Sequence, residues 1–169
     1  MTIGFSRAAV VAFCGMLGVC AAQAQDQAPP VTAGAIEVNA PWSRPASAGG
    51  NGAGYMRITN NGTGSDVLVG VSSDVADRVE VHETSIDDKG VASMKKVDAL
   101  ELKSGQSVEL KPLGKHIMFI GLKEPLKEGG VVKANLKFQT AGDVAVEFAV
   151  KTAAPAGEAG GHEHMHHDH

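Results

Sequence analysis

From residue 35 to residue 150 the chain runs as short segments in which apolar and polar positions alternate. That is the two-residue period of half-buried strands. The alternation is cleanest in VVKANLKF, where Val132, Ala134, Leu136 and Phe138 share a face opposite Val131, Lys133, Asn135 and Lys137. Strands are predicted at 35–38, 54–60, 67–72, 78–82, 92–96, 100–102, 107–110, 116–122, 131–138 and 143–150. Turn residues fall between them, at Asn61-Gly62, Asp88-Lys89-Gly90, Ser104-Gly105 and Gly129-Gly130. No segment sustains a helical period. Short strands at this spacing predict a single all-β domain, an antiparallel β-sandwich or Greek-key barrel.

The pattern fails at both ends, and each end reads differently. Residues 1–24 carry Arg7, an apolar run from Ala8 to about Ala22, and a small-x-small site at Ala22-Gln23-Ala24. This is the form of a cleaved secretory signal, too short for a membrane anchor. It predicts a periplasmic protein whose mature chain starts near Gln25. A lipoprotein signal ending in Cys20 is the weaker alternative, because Val19 stands where a small residue is normally required. Residues 25–34 form a polar, proline-bearing lead-in, and residues 151–161 a small-residue linker. The chain ends at 162–169 in HEHMHHDH.

The signal removes both cysteines, Cys14 and Cys20, so the mature domain has neither a disulfide nor a thiolate. Net charge is -4 with no basic stripe, which argues against nucleic acid. No G-x-S-x-G elbow or glycine-rich phosphate loop occurs, and the carboxylates are scattered, so an enzyme is not expected. Metal binding fares better. The domain's histidines are His82 and His116, and its methionines are Met56, Met94 and Met118. Met56 alternates with Ile58 and reads as core. Met94 lies on a polar hairpin arm, His82 ends a strand near a loop, and His116 and Met118 share one strand face. Two imidazoles and two thioethers suit soft Cu(I) better than an oxygen-seeking ion such as Ca²⁺.

The spacing His82, eleven residues, Met94, twenty-one residues, His116-x-Met118 resembles the ligand motif of the periplasmic copper chaperones called PCu(A)C. The likeness runs through APWSRP, GYMRITNNG, DVLVGVSSDVADRVEVHET and KHIMFIGLKEPLKEGG. The resemblance implies a cupredoxin-like sandwich that binds Cu(I) through His82, Met94, His116 and Met118. It also implies copper supply for assembly of the CuA centre of cytochrome oxidase, with an oxidase subunit or a Sco-type protein as acceptor. Many members place Met directly after the first His, where this chain has Glu83. Neutral ligands favour a shallow, solvent-reachable site that releases Cu(I) to a thiolate-rich acceptor.

The tail offers His162, His164, Met165, His166, His167 and His169 with interleaved carboxylates. Nitrogen and oxygen donors of this kind suit Cu(II). The tail is expected to raise local copper concentration beside the Cu(I) site through the flexible linker. A purification tag is a poorer reading, because the histidines are interrupted. An electron-transfer cupredoxin lacks its cysteine, and a structural sandwich would leave the four domain residues apart. A copper-buffering protein without a dedicated oxidase acceptor is the alternative function. Nothing demands more than a monomer, and no stable membrane insertion is expected.

Overall fold

The two strands with the cleanest alternation lie side by side. The computed structural model describes residues 29–152. The signal at 1–24, most of the linker and the tail at 162–169 lie outside the described residues. The strands are β1 (Val31–Ala33), β2 (Ile36–Ser43), β3 (Asn51–Asn60), β4 (Asp66–Ser72), β5 (Ala76–Ile86) and β6 (Ala92–Lys96). They continue with β7 (Leu100–Leu102), β8 (Ser107–Leu110), β9 (Lys115–Leu122), β10 (Val131–Phe138) and β11 (Gly142–Val150). In the β10–β11 pair Val132 faces Phe148, Ala134 faces Val146 and Leu136 faces Val144, all buried.

Hydrogen bonding follows the order β6-β5-β9-β3-β2-β11-β10-β4-β7, with β1 beside β2 and β8 beside β3. Every pair is antiparallel except β2 with β11, which is parallel at Trp42 and Ser43. The sheet closes over itself as a sandwich. Phe119 of β9 meets Phe148 of β11 edge-on at 5.7 Å and 87°, although β3 and β2 lie between them in the ladder. Such an edge-to-face pair adds about 1 kcal/mol beyond the area it buries. Gly54 makes the approach possible, since a Cβ there would stand 2.9 Å from Phe148 and 3.0 Å from Phe119. Met56 is fully buried in this core, as its alternation with Ile58 predicts.

Strand β2 changes sides partway along. Asn39 pairs with Arg57, but the next pair is Trp42 with Tyr55, so β2 spends one more residue than β3. The bulge holds Ala40, at φ 48°, and Pro41. An extra residue inverts which face later side chains take. Val38 and Ile58 therefore point into the core, whereas Trp42 joins Tyr55 on the opposite face.

Three differences from the sequence reading bear on function. A short β1 pairs with β2 inside the segment read as a lead-in. Strand β2 runs to Ser43 instead of ending at 38, and β5 runs to Ile86 instead of ending at His82. His82 is thus mid-strand and not beside a loop mouth. The residues after it, ETSI, are polar enough to read as a loop. They are strand because β6 pairs with them from Ile86↔Ala92 to His82↔Lys96.

Candidate metal centre

The β5–β9 register sets His82 directly opposite His116 and Glu80 directly opposite Met118. Directly opposed residues of an antiparallel pair share a face. Ile117 and Phe119 take the other face and are fully buried in the core. The β5–β6 hairpin places Met94 opposite Thr84, two pairs along from His82↔Lys96 and so on the His82 face. That hairpin is closed by Asp87, whose Oδ1 accepts from the backbone N–H groups of Lys89 and Val91. All four candidate residues therefore project from one face of the three neighbouring strands β6, β5 and β9.

The side chains converge unequally. The two imidazole rings are 6.2 Å apart, centre to centre, and tilted by 56°. Met94, His116 and Met118 line one cavity of about 370 Å³, together with Arg44, Ala53 and Tyr55. His82 is not among the cavity's lining residues and joins the group through its ring contact with His116. Exposure is graded: His116 is 5% exposed and Met94 49% exposed. The histidine end is more enclosed than the shallow site expected from sequence, and the Met94 end is open.

Each imidazole has one nitrogen committed and one left over. His116 Nδ1 lies 3.0 Å from the Gly114 carbonyl, which accepts only, so Nδ1 carries a proton and the neutral ring has its lone pair on Nε2. His82 Nε2 donates to Glu80 Oε2 at 2.8 Å, and in the neutral ring this tautomer puts the lone pair on Nδ1. That His82 Nδ1 is buried with no hydrogen-bond partner. A buried polar atom without a partner is costly, and an absent ligand is one explanation for it. An imidazole fixed by a carboxylate or carbonyl on its far nitrogen is the usual arrangement of a metal-binding histidine. The donor set therefore fits a metal ion on chemical grounds. Among the described residues no three of His, Cys, Asp and Glu converge, so an ion here needs the thioethers.

Charges flank the site on two sides. The hydrogen bond from His82 holds the Glu80 carboxyl below its ordinary range, against desolvation and with help from Lys96 and Arg78. Lys96 is pushed up by its hydrogen bond and ion pair with Asp98, and by Glu80. On the other side the Arg44 guanidinium carbon sits 5.9 Å from both the Trp42 and Tyr55 ring centres. Those rings are themselves in contact, 4.6 Å apart and tilted by 40°. Burial pushes the Tyr55 hydroxyl up, with Arg44 opposing. Sequence reasoning missed Trp42, Arg44 and Tyr55 as neighbours of the site. The available signal was Pro41, which in a strand marks an edge or a bulge.

Residues 36–150 match the model of the LpqE-like family, described as "Putative lipoprotein LpqE-like". The relative named "Putative lipoprotein Lxx21020", from Leifsonia xyli subsp. xyli, is 31% identical over 136 residues, covering 80% of this chain and 81% of its own. The Cu(I) form of DR1885 from Deinococcus radiodurans is 30% identical with a TM-score of 0.53, over 75% of this chain and 82% of that one. The copper-bound PCuAC domain from PmoF2 shares the fold, with a TM-score of 0.62 at 24% identity, over 75% of this chain and 100% of that one. The match from β2 to β11 makes this chain a member of the LpqE-like family, built on the cupredoxin-like sandwich of the PCuAC domains.

Proposed function

We propose that this protein is an exported copper chaperone whose domain carries one Cu(I) ion between His82, Met94, His116 and Met118. The single observation that carries the reading is the pair of lone pairs left on facing histidines. His82 Nδ1 is buried and unpartnered, and His116 Nε2 is freed by the Gly114 carbonyl. Two thioethers on the same strand face complete a soft, neutral donor set of the kind that favours Cu(I). Likeness to DR1885, solved with Cu(I), supports the choice of metal. The work is binding and delivery, not catalysis. Copper enters and leaves at the open Met94 end, while the enclosed histidines hold it from below.

The acceptor is a copper-binding oxidase subunit or a Sco-type protein, and the destination is the CuA centre. The segment His162, His164, Met165, His166, His167 and His169 binds Cu(II) and concentrates copper near the domain. That segment also favours a second reading, in which the protein buffers copper with no dedicated acceptor. Membership of a family described as lipoprotein supports export. We assign cleavage after about Ala24, and labelled palmitate on the mature protein would instead place the anchor at Cys20.

Met94→Leu and Met118→Leu test the site with volume nearly conserved. Each is expected to weaken Cu(I) binding about tenfold or more in chelator competition, equivalent to about 1.4 kcal/mol or more. Melting temperature should stay within a few degrees of wild type. Unchanged Cu(I) affinity in both variants sinks the assignment.

A further inference from the structure

The described chain ends beside the cavity that holds Met94, His116 and Met118. Val150 of β11 pairs with Ser43 of β2, and the Lys151 N–H donates to the Ser43 carbonyl at 2.9 Å. Arg44, the next residue, lines the cavity itself. Its guanidinium is exposed and held over the Trp42 and Tyr55 rings, and it makes no ion pair among the described residues. At this cation–π distance the guanidinium keeps its N–H groups available for a carboxylate. A side chain attracted to two ring faces also has less freedom to lose on binding.

Residues 153–169 follow directly from this point. They contain Glu158, Glu163 and Asp168 and no Lys or Arg. Glu163 and Asp168 sit among the histidines, so whatever holds those carboxylates also holds the imidazoles. We propose that this segment docks back on Arg44, which anchors its carboxylates at the mouth of the metal cavity.

Reach is not limiting. A small-residue linker of the seven steps from Lys151 to Glu158 has a typical end-to-end distance of about 15 Å, and the twelve steps to Glu163 about 19 Å. A single exposed ion pair is weak. Tethering supplies an effective concentration in the millimolar range, and three carboxylates share one fixed cation. Docking therefore runs as a fast, salt-sensitive equilibrium in which the segment visits the cavity mouth repeatedly. Its consequence for copper rests on the function proposed above: histidines of the segment are presented next to Met94, the open end of the site. The docking itself needs no metal.

The test uses the full chain without metal, at pH about 7.5, above the ordinary range of a histidine side chain. Nitrogen-15 spectra are compared between wild type and the Glu158→Gln, Glu163→Gln, Asp168→Asn triple variant. The expected result is a difference at the Arg44 Nε–Hε signal and at the Tyr55 and Ala53 amides. Salt at about 0.5 M moves wild type onto the variant. In an Arg44→Gln background the difference at Tyr55 and Ala53 falls at least about fivefold, whereas Lys137→Gln, at the other end of β10, leaves it intact. Identical spectra around Arg44 in wild type and triple variant overturn the proposal. So does a difference centred on another surface, or one that grows with protein concentration, which assigns the contact to a second copy. Because no copper is present, failure of the Cu(I) site leaves this result unchanged, and the two ideas fail separately.

Discussion

His82 and His116 show how little of a site is contained in residue type alone. An imidazole presents either nitrogen, and its backbone and carboxylate neighbours decide which one remains. The Gly114 carbonyl does this for His116, and Glu80 does it for His82. Glu80 lies two residues before His82 on the same strand face, which is why its carboxylate reaches the ring. Removing it in Glu80→Ala frees His82 to rotate or change tautomer. Partners of this kind typically set metal affinity by a factor of 10–100, so Cu(I) binding should weaken about tenfold or more. Thermal unfolding should shift by only a few degrees, since both side chains keep partial access to water. Chelator competition and a melting curve on the same sample check both halves. An unaltered affinity would mean that packing against His116, not Glu80, orients the ring.

Elements bring these residues together, and glycine at one position sets how closely two of them pack. A methyl group at Gly54 has no space between Phe119 and Phe148. Gly54→Ala should therefore destabilise the domain by about 1–3 kcal/mol, read from denaturant midpoints, with Cu(I) stoichiometry retained by the folded fraction. The strands themselves were largely legible, because alternation over eight residues in β10 admits no other period. His116 and Met118 were legible as a pair for the same reason. The full extent of β5 was not: Glu83, Thr84 and Ser85 are polar, and their strand state comes from pairing with β6, whose five residues are all exposed. An edge hairpin with no core face leaves no hydrophobic signature. The bulge in β2 was illegible for a different reason. The alternation stops at residue 38 ahead of Pro41, and only the cross-strand register shows Trp42 and Arg44 delivered to the site face.

At the scale of the whole molecule a cysteine-free domain depends on its core and on a few buried polar ties. Asp66 is the clearest tie. It starts β4, is 6% exposed, and fastens that strand to the β10–β11 turn. Its Oδ1 accepts from the N–H groups of Val67 and Thr140 at 2.7 and 2.8 Å, and Oδ2 accepts from Ala141 at 2.8 Å. Desolvation pushes this carboxyl up, but the backbone donors of Thr140, Ala141 and Val67 outweigh it and hold the group below its ordinary range. The sign of the linkage follows. A carboxyl depressed in the folded state stabilises the fold above its unfolded value, about 3.9 for Asp. That contribution is lost as pH falls from there through the folded value. Melting temperature should therefore hold steady from neutral pH down to about 5 and decline below about 4. In Asp66→Asn the three donors no longer share a charge and one faces an amide N–H₂. Stability at neutral pH should drop by about 1–3 kcal/mol, with a shallower decline in acid. A wild-type decline that Asp66→Asn leaves unaltered would move the acid sensitivity to another carboxylate. Residues 66 and 140 are separated by most of the domain's length, so this one contact reports on closure of the entire sandwich.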